Sequence, residues 1–296
     1  MANHFRRAGT FIKQPGGYMA FIPLPLPPAP KLLMDNELIS LLSNADRALG
    51  RLDGITQTLP NPELFVSMYI KKEAVLSAQI EGTQASLIDI LNADELKSKE
   101  KANDLAEIAN YINAMSYGLK RLTEFPVSLR LLKEIHKILL YGVRGGQKQP
   151  GEFRTSQNWV GGHSSTIATA VFIPPPVPEM KKAIADLEKY MHTSNNLPAL
   201  IKIGLIHAQF ETIHPFLDGN GRIGRLLIMF WLCWQEILSK PLLYLSYYFK
   251  INKMEYYDRL MAVRTNGDWE SWLKFFWPAL PKYRKRQRKQ RKKLLK

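Results

Sequence analysis

Apolar residues recur at three- and four-residue spacing along most of the chain, with polar residues between them. That period places the apolar side chains on one face of a helix, as in helices that pack against a core. The pattern predicts helices over residues 38–49, 62–79, 103–122, 128–140, 178–192, 198–213, 222–238, 253–263 and 269–277. We therefore expect an all-α fold, a bundle of about ten helices.

One segment departs from the helical period. Residues 151–172, GEFRTSQNWVGGHSSTIATAVF, are rich in Thr, Ser, Val, Ile and aromatic residues around a Gly-Gly pair. Such a composition predicts a short β-hairpin. Two proline-rich stretches, 21–30 and 173–178, predict extended connectors, because proline cannot continue a helix.

Composition places the chain among globular proteins with a large core, since 46% of its 296 residues are hydrophobic. Its single cysteine, Cys233, excludes a disulfide framework and fits a reducing compartment. The N-terminus has no apolar stretch long enough for a signal peptide. The apolar run 226–234 is shorter than the roughly 20 residues that span a bilayer. We expect a cytoplasmic protein without a membrane segment.

The positive net charge is concentrated at the C-terminus. Residues 282–296 contain ten lysines and arginines and no acidic residue, so the rest of the chain carries only +5 of the net charge of +15. A basic run of this kind binds nucleic acid or an acidic partner, or is a solvated helix. Nucleic-acid binding is therefore expected, if at all, only through this tail.

Candidate chemistry is concentrated in the polar, glycine-rich segment 214–225, HPFLDGNGRIGR, between two apolar helical patterns. Proline after His214 disfavours helical geometry at the histidine. Gly219 and Gly221 permit backbone angles that turn successive N–H groups to one side. The loop opens into the next predicted helix, whose first N–H groups and dipole attract a phosphate. The segment is therefore a candidate anion-binding loop.

The side chains of this segment suit the phosphates of a nucleotide. Arg222 and Arg225, three residues apart on the first helical turn, can grip several phosphate oxygens. Asp218 can hold Mg²⁺ against them, and His214 is a base with an ordinary pKa of about 6.5. Taken singly, a Gly-Asn-Gly is usually a turn and a histidine at a helix end is usually structural. Their combination in one segment favours a catalytic site.

Segment 214–225 resembles the signature of the Fic family, His-x-Phe-x-Asp/Glu-Gly-Asn-Gly-Arg-x-x-Arg, at every defining position. The resemblance covers residues 21–281 and implies a Fic-type helix bundle with a short β-hairpin flap next to the active-site loop. It also implies a protein adenylyltransferase. Such an enzyme uses ATP and Mg²⁺, transfers AMP to a Ser, Thr or Tyr hydroxyl of a target protein or of itself, and releases pyrophosphate.

The resemblance assigns a role to each residue of the loop. His214 is the implied general base, and Asp218 is the implied ligand of Mg²⁺. Arg222 and Arg225 are implied to hold the β- and γ-phosphates. The remaining implied contacts with ATP are made by Phe216, an apolar anchor beneath the loop, and by Leu217, Gly219, Asn220 and Gly221, of which Asn220 and the glycine amides form the anion hole.

A second motif lies upstream of the loop. Residues 77–82, SAQIEG, resemble the Fic inhibitory motif Ser/Thr-x-x-x-Glu-Gly/Asn. Ser77 and Glu81 are four apart on one predicted helix face, and Gly82 permits the helix to end. A carboxylate at that tip opposes the helix dipole and attracts a cation, although a lone solvated glutamate is the common alternative. The resemblance implies that Glu81 pairs with Arg225, takes the place of the γ-phosphate and inhibits the enzyme.

The resemblance also names contacts outside the two motifs. Residues 154–172 correspond to the flap that pairs with an extended segment of the target, with residues 170–172 over the nucleotide. Trp159 is either a target contact or a packed residue, and packing is preferred. A tyrosine pair, here Tyr256 and Tyr257, lines the adenine pocket in relatives, where aromatic faces stack on the base. One core and one surface tyrosine is the alternative.

These features divide the chain into an N-terminal helical region with the inhibitory helix (1–120), a catalytic core (121–281) and the basic tail (282–296). Other chemistry of the same fold stays open, namely removal of AMP or transfer of UMP or phosphate, although an intact Gly221 favours AMP. A nucleotide-sensing regulator that binds nucleic acid through the tail is the alternative from a different class. The target protein and the oligomeric state, a homodimer included, are not set by the sequence.

Overall fold

Eleven helices and one two-stranded hairpin form the regular structure of the residues that the computed structural model describes, which are 6–57, 60–91, 99–162, 164–194, 196–243 and 245–278. The predicted all-α fold class is confirmed. The helices are α1 (Asn36–Gln57), α2 (Pro62–Ile80), α3 (Leu87–Leu91), α4 (Lys99–Arg121), α5 (Leu129–Leu139), α6 (Val177–His192), α7 (Ala199–Ile213), α8 (Asn220–Trp234), α9 (Leu245–Ile251), α10 (Lys253–Asn266) and α11 (Trp269–Phe276). None of these helices is both long and apolar enough to cross a membrane.

Every helix predicted from the periodicity overlaps an observed one, with two clear differences at helix ends: α1 continues to Gln57, beyond the predicted end at residue 49, and α8 is shorter than predicted. The pattern predicts a helix to residue 238, whereas α8 ends at Trp234 with Gln235 as its C-cap. Glu236 has a φ of 54°, a left-handed conformation that stops the helix. The predicted basic tail, 282–296, lies outside the described residues.

Two helices that are apolar on nearly every side form the centre of the molecule. All side chains of α7 from residue 200 onward are buried, as are those of residues 222–232 in α8. Helices of this kind must be surrounded by others. Helix α7 packs against α6, α10 and α11, and α8 packs against α2, α4 and α5. The loop that joins the pair, residues 214–219, is therefore enclosed by the bundle.

Helix α2 carries the predicted inhibitory motif to the start of α8. It begins at Asn61, whose side chain accepts a hydrogen bond from the Leu64 N–H (3.1 Å). It packs against α4, α8 and α9. At its other end Glu81 is the C-cap, and Gly82 has a φ of 102°, which glycine adopts without strain.

A β-hairpin near the N-terminus was not predicted from the sequence pattern, and neither were the two short helices α3 and α9. Strand β1 (Gly9–Lys13) pairs antiparallel with β2 (Met19–Pro23), and the rings of Phe11 and Phe21 meet edge to face at 5.0 Å. Two apolar runs around a Pro-Gly-Gly turn are the signal that indicates it. The Phe21 N–H donates to the Ile173 carbonyl (3.0 Å), which ties β2 to the end of the 151–172 segment.

The predicted flap hairpin is corrected to a loop with a single antiparallel bridge. In the described part of 154–172, the Val160 N–H donates to the Phe172 carbonyl (2.8 Å), and no further ladder forms. Other polar groups of the loop bond to one another instead, as when Trp159 Nε1 donates to the Ser165 carbonyl (2.9 Å). These local bonds compete with strand pairing.

Candidate active site

His214 ends α7 in a left-handed backbone conformation, with φ 50° and ψ 60°. Residues other than glycine adopt it rarely and at a cost of about 1–3 kcal/mol. The His214 carbonyl accepts hydrogen bonds from Arg154 Nε (3.0 Å) and Asn158 Nδ2 (3.2 Å), and the Arg154 N–H donates to the Pro215 carbonyl (2.9 Å). Both side chains are buried. The 151–172 segment therefore holds the strained turn that carries the histidine.

The His214 ring presents one free nitrogen. Nδ1 lies 3.3 Å from the Glu211 carbonyl oxygen, and because a carbonyl only accepts, Nδ1 carries the proton and Nε2 is the free base. Burial, assisted by the positive charge of Arg264, lowers the pKa of His214 to about 4. The ring is therefore neutral at physiological pH, as a general base requires.

The loop after His214 is closed by its own asparagine. Asn220 Nδ2 donates to the Phe216 carbonyl (2.8 Å), and the Phe216 N–H donates to Asn220 Oδ1 (2.9 Å). Both side-chain atoms of Asn220 are used inside the loop, and the residue is 2% exposed. The placement of Asn220 in the anion hole stays a prediction. The structure adds that its side chain shapes the loop, and that its backbone N–H lies at the uncapped start of α8.

Phe216 lies beneath the loop, as expected of an anchor. Its ring is fully buried and stacks on His136 with 3.8 Å between centroids. The Gly151 N–H donates to His136 Nδ1 (2.8 Å), so Nε2 carries the proton and donates to the Asp218 carbonyl (3.0 Å). Burial lowers the pKa of His136 to about 4. A neutral His136 thus joins α5, the Gly151 turn and the loop.

The start of α8 is open to an anion. Gly219, with a φ of 77°, is the N-cap, and no side chain caps the helix. The first N–H to bond back into the helix belongs to Ile223, which donates to the Gly219 carbonyl (3.0 Å). The N–H groups of residues 220–222 therefore have no helical acceptor, which is the arrangement that binds phosphates. Leu217 is half-buried at the turn of the loop.

Arg222 adds a positive charge to this helix end. The side chain is 4% exposed, and its Nε and Nη1 make no hydrogen bond within the described residues. Nη2 lies 3.5 Å from Asp218 Oδ1, and Nη1 lies 3.6 Å from Glu107 Oε2. Free donors on a buried guanidinium next to open N–H groups suit a phosphate, which accepts several hydrogen bonds at once.

Asp218 is suited to hold Mg²⁺ together with a nucleotide. Its side chain is 40% exposed, and Oδ1 accepts a hydrogen bond from the Gly219 N–H (2.5 Å). Gly145 leaves room for the carboxylate, because a Cβ there would lie 2.7 Å from Asp218 Oδ2. No group of three or more metal-binding side chains occurs among the described residues. One carboxylate is what a Mg²⁺ needs when phosphates and waters supply its other ligands.

The two predicted partners of the inhibitory contact lie in direct contact. Arg225 Nη2 donates to Glu81 Oε1 (2.6 Å) and to the Ser77 carbonyl (3.1 Å), while Nε donates to Ser77 Oγ (2.8 Å). The Arg225 side chain is 2% exposed and that of Glu81 is 32% exposed. Arg225 Nε and Nη2 thus both donate to α2 and its C-cap.

The Glu81 carboxylate lies against the first turn of α8. A Cβ at Gly221 would be 2.5 Å from Glu81 Oε1. Burial raises the pKa of Glu81, but the charge of Arg225, with those of Arg222 and Lys253, outweighs burial and lowers the pKa below its ordinary value. The carboxylate is therefore ionised, and it occupies part of the space in front of the open helix end.

The two candidate adenine-pocket tyrosines differ in exposure. Tyr256 is 1% exposed, and its hydroxyl donates to His207 Nε2 (2.9 Å) within an aromatic cluster. Tyr257 is 40% exposed, with Lys253 Nζ 5.9 Å from its ring centroid. Only Tyr257 presents a ring to solvent. Trp159 is 42% exposed, so the preferred interpretation of this residue as packed is wrong.

Several residues that shape the site were missed by the sequence analysis. Glu107 of α4 is 2% exposed, accepts a hydrogen bond from Thr83 Oγ1 (3.2 Å), and lies 3.3 Å from Arg144 Nε and 3.6 Å from Arg222 Nη1. An acidic residue on the apolar face of an amphipathic helix is the signal that could have found it. The others missed are His136, Arg154, Asn158, Glu211 and Lys253.

Comparison with known protein families gives two matches. The profile described as Fic/DOC family N-terminal matches residues 39–120. The profile described as Fic/DOC family matches residues 126–232, which include the loop from His214 to Arg222.

Two curated relatives have names that state an activity. A probable protein adenylyltransferase of Aquifex aeolicus is 28% identical over 172 residues, which are 56% of this chain and 48% of the relative. The protein adenylyltransferase Fic of Drosophila mojavensis is 30% identical over 211 residues, which are 66% of this chain and 38% of the relative. The chain thus spans less than half the length of these relatives.

Solved structures share the fold. A Fic family protein from Desulfovibrio desulfuricans G20 superposes with a TM-score of 0.70 at 21% identity, covering 85% of this chain and 74% of that one. A Fic domain containing signaling protein from Bacteroides thetaiotaomicron superposes with a TM-score of 0.60 at 18% identity, covering 83% of this chain and 93% of that one.

Proposed function

The chain belongs to the Fic/DOC family, and from that membership we propose that it is a protein adenylyltransferase that is inhibited by its own helix α2. It transfers AMP from ATP to a Ser, Thr or Tyr hydroxyl of a target protein or of itself and releases pyrophosphate. The observation that carries the proposal is the neutral His214, with a free Nε2, at the other end of a short loop from an uncapped helix N-terminus. The names of two curated relatives support the same activity.

In the proposed reaction His214 Nε2 takes the proton of the target hydroxyl. The hydroxyl oxygen forms a bond to the α-phosphorus, and the bond between that phosphorus and the bridging oxygen breaks. Pyrophosphate leaves with the electron pair. Arg222 and the open N–H groups of α8 stabilise the charge on the phosphates, and such positioned donors supply most of the catalysis in this class of reaction.

Asp218 is the residue that would hold Mg²⁺ next to the phosphates, where the ion would neutralise their charge. A protein target would bind beside the 151–172 segment, where Val171 is 71% exposed and Trp159 is 42% exposed. Tyr257 is the aromatic surface available to the adenine base.

Inhibition is proposed to follow from competition for Arg225. A γ-phosphate held by Arg225 cannot be bound while the guanidinium donates to Glu81 and Ser77. Without the contact between Arg225 and the γ-phosphate, ATP would bind in a pose that does not align its α-phosphorus with the nucleophile. A misalignment of about 1 Å is enough to slow such a reaction strongly. The resting enzyme is therefore expected to be slow.

Intact-mass spectrometry after incubation with ATP and Mg²⁺ tests the proposal. Glu81→Gly is expected to gain the mass of one or more AMP groups at least ~10-fold faster than wild type, since each ~1.4 kcal/mol removed from the inhibited state is a factor of ten. Glu81→Gly combined with His214→Ala is expected to gain none.

Glu81→Gln is the matched control for charge, because it keeps the side-chain volume and weakens the ion pair. Its rate is expected to lie between those of wild type and Glu81→Gly. If the protein instead gained the mass of a different group, such as UMP or phosphate from the corresponding donor, that group and not AMP would be the one transferred. Equal rates for wild type and Glu81→Gly would contradict inhibition by α2.

A further inference from the structure

A buried carboxyl group with no assigned role lies directly behind the proposed base. Glu211 is on the last turn of α7 and is 6% exposed. Its Oε1 makes no hydrogen bond within the described residues, and its Oε2 lies 4.0 Å from His214 Nδ1. Buried carboxyl groups normally have a partner, so one without a partner requires an explanation.

The fold makes room for this carboxyl at the crossing of α7 and α8. A Cβ on Gly224 would lie 2.3 Å from Glu211 Oε1, so a side chain at that position would collide with it. The backbone on both sides is fixed: His207 Nδ1 donates to the Gly224 carbonyl (3.0 Å), and Arg264 Nη2 donates to the Glu211 carbonyl (3.1 Å). Glu211 therefore occupies a defined position relative to His214.

Charged and titratable groups from three other helices face Glu211. They are Glu81 at the end of α2, Arg225 on α8, and Tyr256, Tyr257 and Arg264 on α10, besides His207 and His214 on α7 itself. Burial raises the pKa of Glu211 to about 7, against the opposing effect of Arg225 and Arg264. The group therefore gains its negative charge within the physiological pH range.

We infer that Glu211 is a positioning residue for His214 and that its carboxylate stabilises the imidazolium formed when Nε2 takes the proton of the target hydroxyl. The inference rests on the proposed function. In that step the proton moves from the hydroxyl to Nε2, the O–P bond forms, and pyrophosphate leaves with its electron pair. Glu211 forms and breaks no bond. Its negative charge, 4.0 Å from the ring, offsets the positive charge that the ring acquires.

A pH dependence follows from this role. His214 is neutral throughout the range from pH 6 to 9, because its pKa is lowered to about 4. Glu211 is neutral below its pKa of about 7 and ionised above it. The rate of AMP transfer is therefore expected to rise as pH increases through about 7, because the carboxylate is then present to stabilise the imidazolium.

The test compares Glu211→Gln with its parent in the Glu81→Gly background, with kcat and the KM for ATP measured from pH 5.5 to 9. Gln fills the same volume without a charge. At pH 8 we expect kcat to fall about 10- to 100-fold, less than the roughly 100- to 10,000-fold that a proton-transfer group itself supplies, because Glu211 assists the base and transfers no proton. We expect the rise near pH 7 to disappear, KM for ATP to stay within about twofold, and Tm to be unchanged or higher, because burying a neutral amide costs less than burying a charge.

Glu255→Gln is the matched control, since Glu255 is an exposed glutamate on α10 that pairs with Arg259. It is expected to change neither kcat nor the pH profile. An unchanged kcat with an unchanged rise near pH 7 in Glu211→Gln would overturn the inference. A fall in kcat that is the same at every pH, with the rise retained, would also overturn it.

A second measurement does not depend on catalysis. The ¹³Cε1 shift of His214, assigned by its absence in His214→Ala, is expected to change with an inflection near pH 7 in the parent and to stay flat in Glu211→Gln. The same inflection in both proteins would overturn the inference. If the parent transfers no AMP at all, the proposed function fails, and this titration still decides whether Glu211 acts on His214.

Discussion

The proposed base is held by buried residues from a distant part of the chain. His214 has a left-handed backbone, and the hydrogen bonds from Arg154 and Asn158 to its carbonyl come from a segment about 60 residues earlier in the chain. Such an arrangement fixes the imidazole before a target hydroxyl arrives. The hydrogen bonds from these two buried donors offset the cost of the strained backbone at His214.

Removal of one of these donors should lower kcat strongly and weaken ATP binding only slightly. Asn158→Ala deletes the bonds from Nδ2 to the carbonyls of His214 (3.2 Å) and Phe216 (2.8 Å). In the Glu81→Gly background we expect kcat to fall about tenfold or more, with little change in KM for ATP. Urea denaturation should show a loss of about 1–3 kcal/mol, because two hydrogen bonds are deleted and each contributes roughly 0.5–1.5 kcal/mol, while Arg154 and Asn220 still donate to the two carbonyls.

Asn110→Ala is the matched control for this prediction. Asn110 Nδ2 also bridges two carbonyls, those of Leu139 (3.3 Å) and Tyr141 (2.7 Å), but at the end of α5 instead of the loop. It should lose stability without losing kcat. If Asn158→Ala keeps the parent's kcat, the hydrogen bonds to the loop do not position the base.

At this scale the sequence selected candidate residues and one contact between them, that of Glu81 with Arg225, but not their other contacts. His214, Asp218, Arg222 and Arg225 could be found because one short segment contains them all. The hydrogen bonds of the Asn220 side chain could not be predicted from the sequence. Whether an amide faces an anion or its own loop depends on backbone angles, which motif spacing does not fix. Distant partners such as Glu107 are likewise set by helix packing.

Helix α2 is held at its C-terminal end by cations from the α9–α10 corner. Lys250 Nζ donates to Gln79 Oε1 (2.6 Å), and Lys253 Nζ donates to the Ile80 carbonyl (2.5 Å). Cations stabilise a helix C-terminus, where free carbonyls and the dipole are negative. These contacts fix the end of the helix whose next residue, Glu81, binds Arg225.

Loosening this end should release part of the inhibition. Lys253→Met keeps the side-chain length and removes the bond to the Ile80 carbonyl. We expect AMP transfer to rise about 3- to 10-fold over wild type, because a bond of roughly 1 kcal/mol then no longer holds the inhibited position. The rise should be smaller than that of Glu81→Gly.

Two comparisons make this prediction specific. In the Glu81→Gly background Lys253→Met should have no further effect, since the inhibitory carboxylate is already absent. Lys189→Met, which removes an exposed lysine on α6, should behave as wild type. An equal rise in both backgrounds would show that Lys253 acts on ATP binding instead of on α2.

Helices were predictable because their apolar period is local, whereas strand pairing was not. The nine predicted helices depend on residues three and four apart, whereas α3 and α9, with five and seven residues, are too short to show the period. The pairing of β1 with β2 and the single bridge at Val160 depend on which backbone groups find other partners. Composition therefore assigned a hairpin to 151–172 and missed the one formed by Gly9–Lys13 and Met19–Pro23.

The molecule buries histidines and glutamates whose shifted pKa values have opposite effects on stability as pH changes. Burial lowers the pKa of His136, His207 and His214 to about 4, 3 and 4. Burial raises the pKa of Glu73 and Glu211 to about 7. On unfolding near pH 5.5 the three histidines take up protons, and the two glutamates release theirs, because their pKa values return to the ordinary range. The balance is an uptake of about one proton.

Stability should therefore fall as pH decreases from about 6 to 5. One proton taken up on unfolding corresponds to roughly 1.4 kcal/mol lost per pH unit. Urea denaturation at pH 7, 6 and 5 measures this slope. Glu73→Gln removes one of the two glutamates that release a proton, so its slope should be about twice as steep. A slope of zero, or stability that increases toward pH 5, would contradict the balance of buried groups.

The contact between Glu81 and Arg225 is made within one chain, which sets how the enzyme can be regulated. Glu81, the proposed competitor of the γ-phosphate, is tethered to Arg225 by the fold. Its effective concentration is therefore fixed, and dilution of the protein cannot remove it. In the proposed inhibition, ATP in its productive pose competes with the tip of α2 for Arg225. Such linkage is reciprocal: a ligand that draws α2 away strengthens productive ATP binding by the factor by which ATP in that pose strengthens the binding of the ligand. The rate of AMP transfer per enzyme molecule is therefore expected to depend on what binds to the surface of α2, and not on the concentration of the enzyme.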